Sequence, residues 1–443
     1  MQLPQAVQYC IQTLEAAGFE AYAAGGCVRD SLLGLTPADY DLCTNAKPEE
    51  TVQVFSAHQL LHHGQKHGTV GVVLEGQVFE ITTFRTEGGY DDARHPDWVK
   101  FVGSVEEDLA RRDFTVNAMA YNPKTGYRDP FGGQADLANK VLRTVGDPEA
   151  RFKEDALRIL RGARFSARFR LTPEPSTLDA MVRFAPLLDK IARERVFEEL
   201  CKLLLSATAE DLRMFVPLLT QVIPELEPSV GFEQHSPHHR YDVFTHTAHV
   251  VEAVPMVLGL RWAALLHDIG KPAAFSLDET GRGHFKGHAK ISQELADSIL
   301  LRLKAPSALR QQVTELIGLH MTPLEPDRKL LRRRLGKLGE ERLEQLLLLQ
   351  EADMGSKGTG KPENMEQFSV LRQMIGDILK EDACFSIKDL AVNGWDLQQI
   401  GVPAGPNIGK ALSWLLGQVQ DEVLPNEKDI LLQTVKELLE DRE

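Results

Sequence analysis

Hydrophobic positions follow two different periods along the chain. Up to about residue 145 they fall in short, partly alternating runs rich in Val, Ile, Phe and Thr (FEAYAAGG, DYDLCT, TVGVVLE and QVFEITTFR), interspersed with helical segments. TVGVVLEGQVFEIT reads as a strand pair turning at Glu75-Gly76. From Asp147 to about Leu205 the spacing is that of amphipathic helix, with Ala156, Leu157, Leu160 and Phe165 on the apolar side. Almost everything beyond reads helical too. The pattern predicts an α+β protein, a mixed head on an all-α body.

Breakers divide the chain further. A Gly/Asp/Pro-rich loop, RTEGGYDDARHPDWVKFVGSVEE, follows the last strand, and Pro224, Pro228 and Pro237 open a His-rich helical stretch ending after Asp353. GSKGTG (Gly355 to Gly360) reads as a linker before an acidic helical tail that runs to Glu443. The predicted divisions are 1–145, 146–225, 226–360 and 361–443. A length of 443 residues fits three or four units at about 150 residues each.

Composition narrows the class. With 43% hydrophobic and 26% charged residues the chain is an ordinary globular protein, not a disordered or collagen-like one. Its five cysteines are far apart and form no C-x-x-C pair, which fits a reducing, cytoplasmic compartment. No apolar run is long enough to span a membrane, and no protein partner is evident. The net charge of −14 disfavours nucleic acid, yet local stripes decide phosphate affinity. Arg151 to Arg170 carries seven basic residues against two acidic, and Asp327 to Lys337 six against one. A solvated helix face is the competing reading of both.

Chemistry concentrates first in the head. AAGGCVRDSLLG sets Gly25 and Gly26 between a strand and a helix, where backbone N–H groups can cradle phosphate and Arg29 can add a charge-assisted contact. In DYD, the strand period puts Asp39 and Asp41 on one face, a pair of like charges suited to Mg²⁺ and triphosphate. Glu80, set in the apolar run FEITTF, is a third carboxylate, with a solvent-facing edge position as its alternative. Two carboxylates plus triphosphate point to metal-assisted phosphoryl transfer without a covalent nucleophile.

GGCVRD, DYD, RRDFTVNAMAYN, DPFGGQADL and EDALRILRGARF occur in the order found in the class II tRNA nucleotidyltransferases and bacterial poly(A) polymerases, which the chain resembles over residues 20 to 205. The resemblance implies a polymerase β-like nucleotidyltransferase head with a small mixed sheet. It implies that Arg112, Asp113 and Asn117 bind sugar and phosphates, and that Glu154, Asp155, Arg158 and Arg161 read cytosine or adenine. Their spacing on one helix also allows a plain surface ion pair. Asp91, Asp92, Arg94 and His95 would sit in the family's flexible loop, and RERVFEEL (Arg193 to Leu200) in its neck.

A second set lies further on: His246, the adjacent His267 and Asp268, His288, His320 and Asp353. Adjacent His and Asp in an apolar helix are costly to bury without a cation, and this ligand chemistry suits a divalent transition metal. The set resembles that of HD-domain phosphohydrolases, with His284 a candidate or merely a surface residue. The two resemblances together imply Mg²⁺-dependent, template-independent addition of CCA to the 3′ end of tRNA from CTP and ATP, with RNA end repair by the second site. Poly(A), CC-only or A-only addition are alternatives within the same chemistry. A phosphohydrolase with a degenerate head and a non-catalytic tRNA-binding protein are alternatives of other classes.

Overall fold

In the computed structural model the described residues are 1–62, 64–88, 98–237, 239–357, 365–380 and 386–440. Asp91, Asp92, Arg94 and His95 lie outside them. The chain divides into two units, Met1–Glu227 with Arg302–Ala305, and Pro228–Leu301 with Pro306–Glu443.

Among the described residues the sheets of the head are built from β1 (Ala21–Ala24), β2 (Leu42–Thr44), β3 (Gln59–Leu61), β4 (Thr69–Leu74), β5 (Gln77–Thr83), β6 (Arg85–Gly88), β7 (Trp98–Phe101), β8 (Ala120–Asn122) and β9 (Gly126–Arg128). Seven of them form one mixed sheet in the order β3-β4-β5-β2-β1-β8-β9, and β6 pairs with β7 separately. Only β2 and β5 run parallel in the large sheet; its other pairs are antiparallel. The expected hairpin is β4–β5. It turns on Glu75 at φ 51° and Gly76 at φ 78°, the positive pair that a two-residue turn matching strand twist requires. Beneath the sheet, Tyr22, Cys43, Phe84, Leu109, Ala120 and Val145 form one apolar cluster.

Two expectations are corrected here. DYD is not in a strand: β2 begins at Leu42, and Asp39 and Asp41 occupy the extended segment leading into it. That segment is held by a bond from the Ala24 amide to the Asp41 carbonyl, 2.9 Å, so the backbone is already strand-like at Asp41. The long helix from Asp147 is also interrupted. It becomes Pro148–Glu154, Leu157–Phe169, Pro175–Phe184 and Arg193–Leu204. At the first break Asp155 is extended (φ −139°, ψ 103°) and its carboxylate accepts from the Leu157 amide at 3.0 Å. An Asp that caps the following turn competes with helix continuation through itself.

The second unit is helical as expected. Val243–Ala253, Leu258–Leu266, His288–Arg302, Ser307–Leu319, Arg328–Leu338 and Glu340–Gly355 are its principal helices up to residue 355, so Gly355, expected in a linker, ends a helix. The tail contributes Glu366–Lys380, Gly394–Gln399, Pro406–Gln420 and Lys428–Glu440, the last three packed around Leu397, Leu415 and Leu431. None of the described helices is long and apolar enough to cross a membrane.

Candidate functional sites

Sheet register brings two of the head's carboxylates side by side. Leu42 pairs with Ile81 across the parallel β2–β5 ladder, so one residue earlier on both strands Asp41 comes beside Glu80. Along β5, Phe79 and Ile81 are buried and Glu80 is exposed, which turns Glu80 to the open face. It therefore sits in a central strand, neither at an edge nor in the apolar interior. Asp39, Asp41 and Glu80 line one cleft of about 850 Å³ together with Tyr40, Gln77 and Val78. Partial loss of water in the cleft raises the Asp41 carboxyl above its ordinary range, Asp39 and Glu80 push the same way, and Arg112 opposes them. Three carboxylates lining one open cleft are chemically suited to a hard divalent cation.

The glycine turn adjoins this cluster, because Gly25 directly follows the residue bonded to Asp41. Gly25 caps the helix Gly26–Leu32 with φ 78°, and its amide donates to the Met119 carbonyl. A Cβ there would stand 2.5 Å from Arg112 Nη1. The Arg112 guanidinium is held in turn by Asp108, which is fully buried, accepts from Arg111 Nε at 3.0 Å and lies 3.5 Å from Arg112 Nη2. Sequence reading passed over Asp108; its signal was an acid three and four residues before two arginines.

Arg29 is placed differently from the phosphate contact expected of it. It is 6% exposed, and its guanidinium donates to Asp30 (2.6 and 2.8 Å) and to Asn117 Oδ1. Asn117 Nδ2 donates to Asp113 Oδ1 at 2.9 Å, and Arg161 meets Asp113 Oδ2 through Nε at 2.9 Å and Nη2 at 2.8 Å. Burial alone would raise the Asp113 carboxyl. Arg161, Asn117 and Arg158 outweigh it and hold the group down to about 2.

Glu154, Asp155, Arg158 and Arg161 do not share one helix. Glu154 ends the Pro148–Glu154 helix and bridges Arg151 and Arg158, each at 2.7 Å. Arg158 also donates to the Arg111 carbonyl at 3.0 Å, and Asp155 faces Arg195 at 3.5 Å. In the neck, Arg164 pairs with Glu199 at 2.7 Å. The basic stripe of residues 151–170 is thus largely committed to internal carboxylates. The second stripe is similar: Arg332 and Arg333 pair with Glu422 and Asp421.

The second unit gathers all six expected metal-capable side chains. His246, His267, Asp268 and Asp353 form one group of converging ligand atoms, and Asp268, His288 and His320 another. Each imidazole has its Nδ1 at a backbone carbonyl: Ser356 for His246 (3.3 Å), Ala264 for His267 (2.8 Å), Phe285 for His288 (2.8 Å) and Ile317 for His320 (2.7 Å). A carbonyl only accepts, so in each neutral ring Nδ1 carries the proton and Nε2 presents a lone pair. Buried His267 Nε2 lies 3.2 Å from Asp268 Oδ2 without hydrogen-bond geometry. These lone pairs and carboxylates fit a divalent transition metal. Burial, then the neighbouring His267, pushes His320 down to about 4, the neutral form a metal requires. At His267 burial is outweighed by Asp268 and Asp353, which raise the ring instead, so metal binding there displaces a proton. Lys271 reaches Asp268 Oδ2 at 2.7 Å, and with Arg282 and Lys357 it lines a cavity of about 310 Å³ over the cluster. His284 is bonded to Asp278 at 2.8 Å on an exposed hairpin and joins neither ligand group.

Comparison with known proteins agrees with this architecture. Family models match residues 21–143 as a poly(A) polymerase head domain, 170–229 as "Probable RNA and SrmB-binding site of polymerase A", and 284–435 as tRNA nucleotidyltransferase domain 2. The CCA-adding enzyme of Levilactobacillus brevis is 35% identical over 428 residues, 96% of each chain. That of Streptococcus suis is 52% identical over 208 residues, 46% of this chain and 51% of the relative. The crystal structure of the Bacillus stearothermophilus CCA-adding enzyme in complex with CTP superposes with a TM-score of 0.72 at 29% identity, covering 100% of this chain and 99% of that one. The Thermotoga maritima enzyme complexed with tRNA, at 20% identity and TM-score 0.60 over 98% and 95%, has the same fold. With a relative this similar along nearly its whole length, the chain belongs to the CCA-adding enzymes, a family of nucleotidyltransferases.

Proposed function

We propose that the chain adds CCA to the 3′ end of tRNA from CTP and ATP, with Asp39, Asp41 and Glu80 holding Mg²⁺ in the head. The register that sets Asp41 beside Glu80, next to the Gly25-Gly26 turn, is the observation that carries this reading. The turn and Arg112 receive the triphosphate; Asp113 and Asn117 meet the ribose, and Asp155, Arg158 and Arg161 the base, with Glu154 bracing Arg158. The RNA 3′-oxygen bonds to the α-phosphorus as the bond to pyrophosphate breaks. Mg²⁺ held by Asp39, Asp41 and Glu80 would supply Lewis-acid stabilisation of the negative charge that develops during transfer. Incubation with tRNAs ending before CCA, ending in CC, and with unrelated RNA tests the proposal by product length. Growth by three, one and no nucleotides is expected; long adenylate tails or arrest after CC would replace it with one of the related activities.

A second reading concerns the other unit. His246, His267, Asp268 and Asp353, with His288 and His320, hold a divalent transition metal, supported by the four carbonyl-oriented imidazoles. Such a metal supplies an activated water for phosphoester hydrolysis. Lys271, Arg282 and Lys357 give the cavity the positive charge a phosphorylated RNA end requires. Ring opening of 2′,3′-cyclic nucleotides to monophosphates, or release of phosphate from 3′-phosphorylated ones, lost on Asp268→Ala, checks it.

A further inference from the structure

We infer that Arg29 is a positioning residue for nucleotide choice, tying the phosphate turn to the helix that bears Arg161. The inference rests on the reading above in which Asp113 and Arg161 meet sugar and base. Every guanidinium nitrogen of Arg29 already donates within the protein, and the adjacent Asp30 carboxylate neutralises its charge. Buried and neutralised, it is poorly suited to capturing an anion.

What Arg29 does reach is the base-reading helix, by two routes. The polar route runs from Asp30 through Arg29, Asn117 and Asp113 to Arg161. Its direction is fixed, because a guanidinium only donates and an ionised carboxylate only accepts. The Asn117 amide therefore has one satisfied orientation, oxygen to Arg29 and nitrogen to Asp113. The second route is aromatic. The Arg29 guanidinium lies 4.2 Å from the Phe169 ring centroid and 5.2 Å from that of Phe165, and Phe165 also carries Arg161 at 5.2 Å. Removing Arg29 leaves a buried Asn117 oxygen without its donor, lets the amide turn, and leaves Asp113 Oδ1 held by the Phe114 amide alone, 2.8 Å. The Asp113–Arg161 pair then loses the side-chain contact that orients it, keeping only the Phe114 amide, while the glycine turn keeps its own backbone bonds.

Arg29→Gln, Phe169→Leu and Arg161→Ala are compared with the unchanged protein. The readouts are kcat/KM for CTP against UTP on a tRNA ending before CCA, and the inhibition constant of inorganic pyrophosphate. Arg29→Gln is expected to lower the CTP preference about tenfold while pyrophosphate inhibition stays within about twofold, and Phe169→Leu to lower the preference in the same sense. Phe169→Leu removes the stack on Arg29, along with the Phe165 and Arg168 ring contacts, and leaves the polar route in place, so it carries the test if Arg29→Gln fails to fold. A rise of about tenfold in the pyrophosphate constant on Arg29→Gln makes Arg29 a phosphate ligand and overturns the inference. Preference lost in Arg161→Ala but retained in both other variants overturns the inference alone. Preference retained in Arg161→Ala overturns the base-reading role on which it rests.

Discussion

The Nε2 atoms of His288 and His320 approach to 3.2 Å, while the Nδ1 of each ring donates to a main-chain carbonyl. Two neutral rings so oriented turn lone pairs toward each other, an arrangement that a shared cation or proton relieves. Asp268 belongs to both ligand groups. Metal-depleted protein is therefore expected to take up a divalent transition metal and to melt at a higher temperature, with about 2.7 kcal/mol gained at a hundredfold excess over Kd. Asp268→Ala should abolish uptake measured by atomic emission, and His288→Ala should reduce it. Unchanged uptake in Asp268→Ala would contradict the assignment.

Asp113 makes stability depend on acid. Its folded-state value of about 2 lies below the ordinary 3.8, so the stabilisation is complete above about pH 4 and is lost as pH falls through 2. The contribution at neutral pH is roughly 2 kcal/mol. Urea unfolding of Asp113→Asn against the unchanged protein should show that difference at pH 7, narrowing toward pH 2. A difference that stays constant with pH would assign the loss to packing.

How much of this was legible beforehand depended on whether the signal was local. The Glu75-Gly76 turn and the alternation of Phe79, Glu80 and Ile81 are written in adjacent residues, and the β4–β5 hairpin followed directly. Asp39 and Asp41 were legible as a pair; their neighbour Glu80 was fixed only by the parallel β2–β5 register, a contact some 40 residues apart. The helix break at Asp155 was hidden because the apolar spacing continues on both sides of it, and side-chain capping overrode the period. Arg29 had the sequence of a phosphate ligand; its burial against Phe165 and Phe169 is tertiary. The ion-pair partners of the basic stripes, Glu199, Asp421 and Glu422, were illegible for the same reason, since they lie far along the chain.

Gly25 allows Arg112 to lie against the turn. Gly25→Ala places a Cβ 2.5 Å from Arg112 Nη1 and asks an L-residue to adopt φ 78°. At ψ −126° this is a conformation nearly confined to glycine, with a backbone cost of about 1–3 kcal/mol, and the guanidinium must swing aside. A several-fold higher KM for CTP, with a melting temperature lower by a few degrees, is the expected result. Unaltered KM would mean that Arg112 does not serve the triphosphate from this position.

The carboxylate cluster is tested most directly by Asp41→Asn, which keeps the shape of the side chain and removes its charge. The measurement is the single-turnover rate of CTP addition, in Mg²⁺, to a tRNA lacking CCA, alongside tRNA binding by gel shift. Loss of roughly a thousandfold in rate with binding retained is the predicted result. A rate within about tenfold of the unchanged protein would contradict the placement of the metal at Asp39, Asp41 and Glu80.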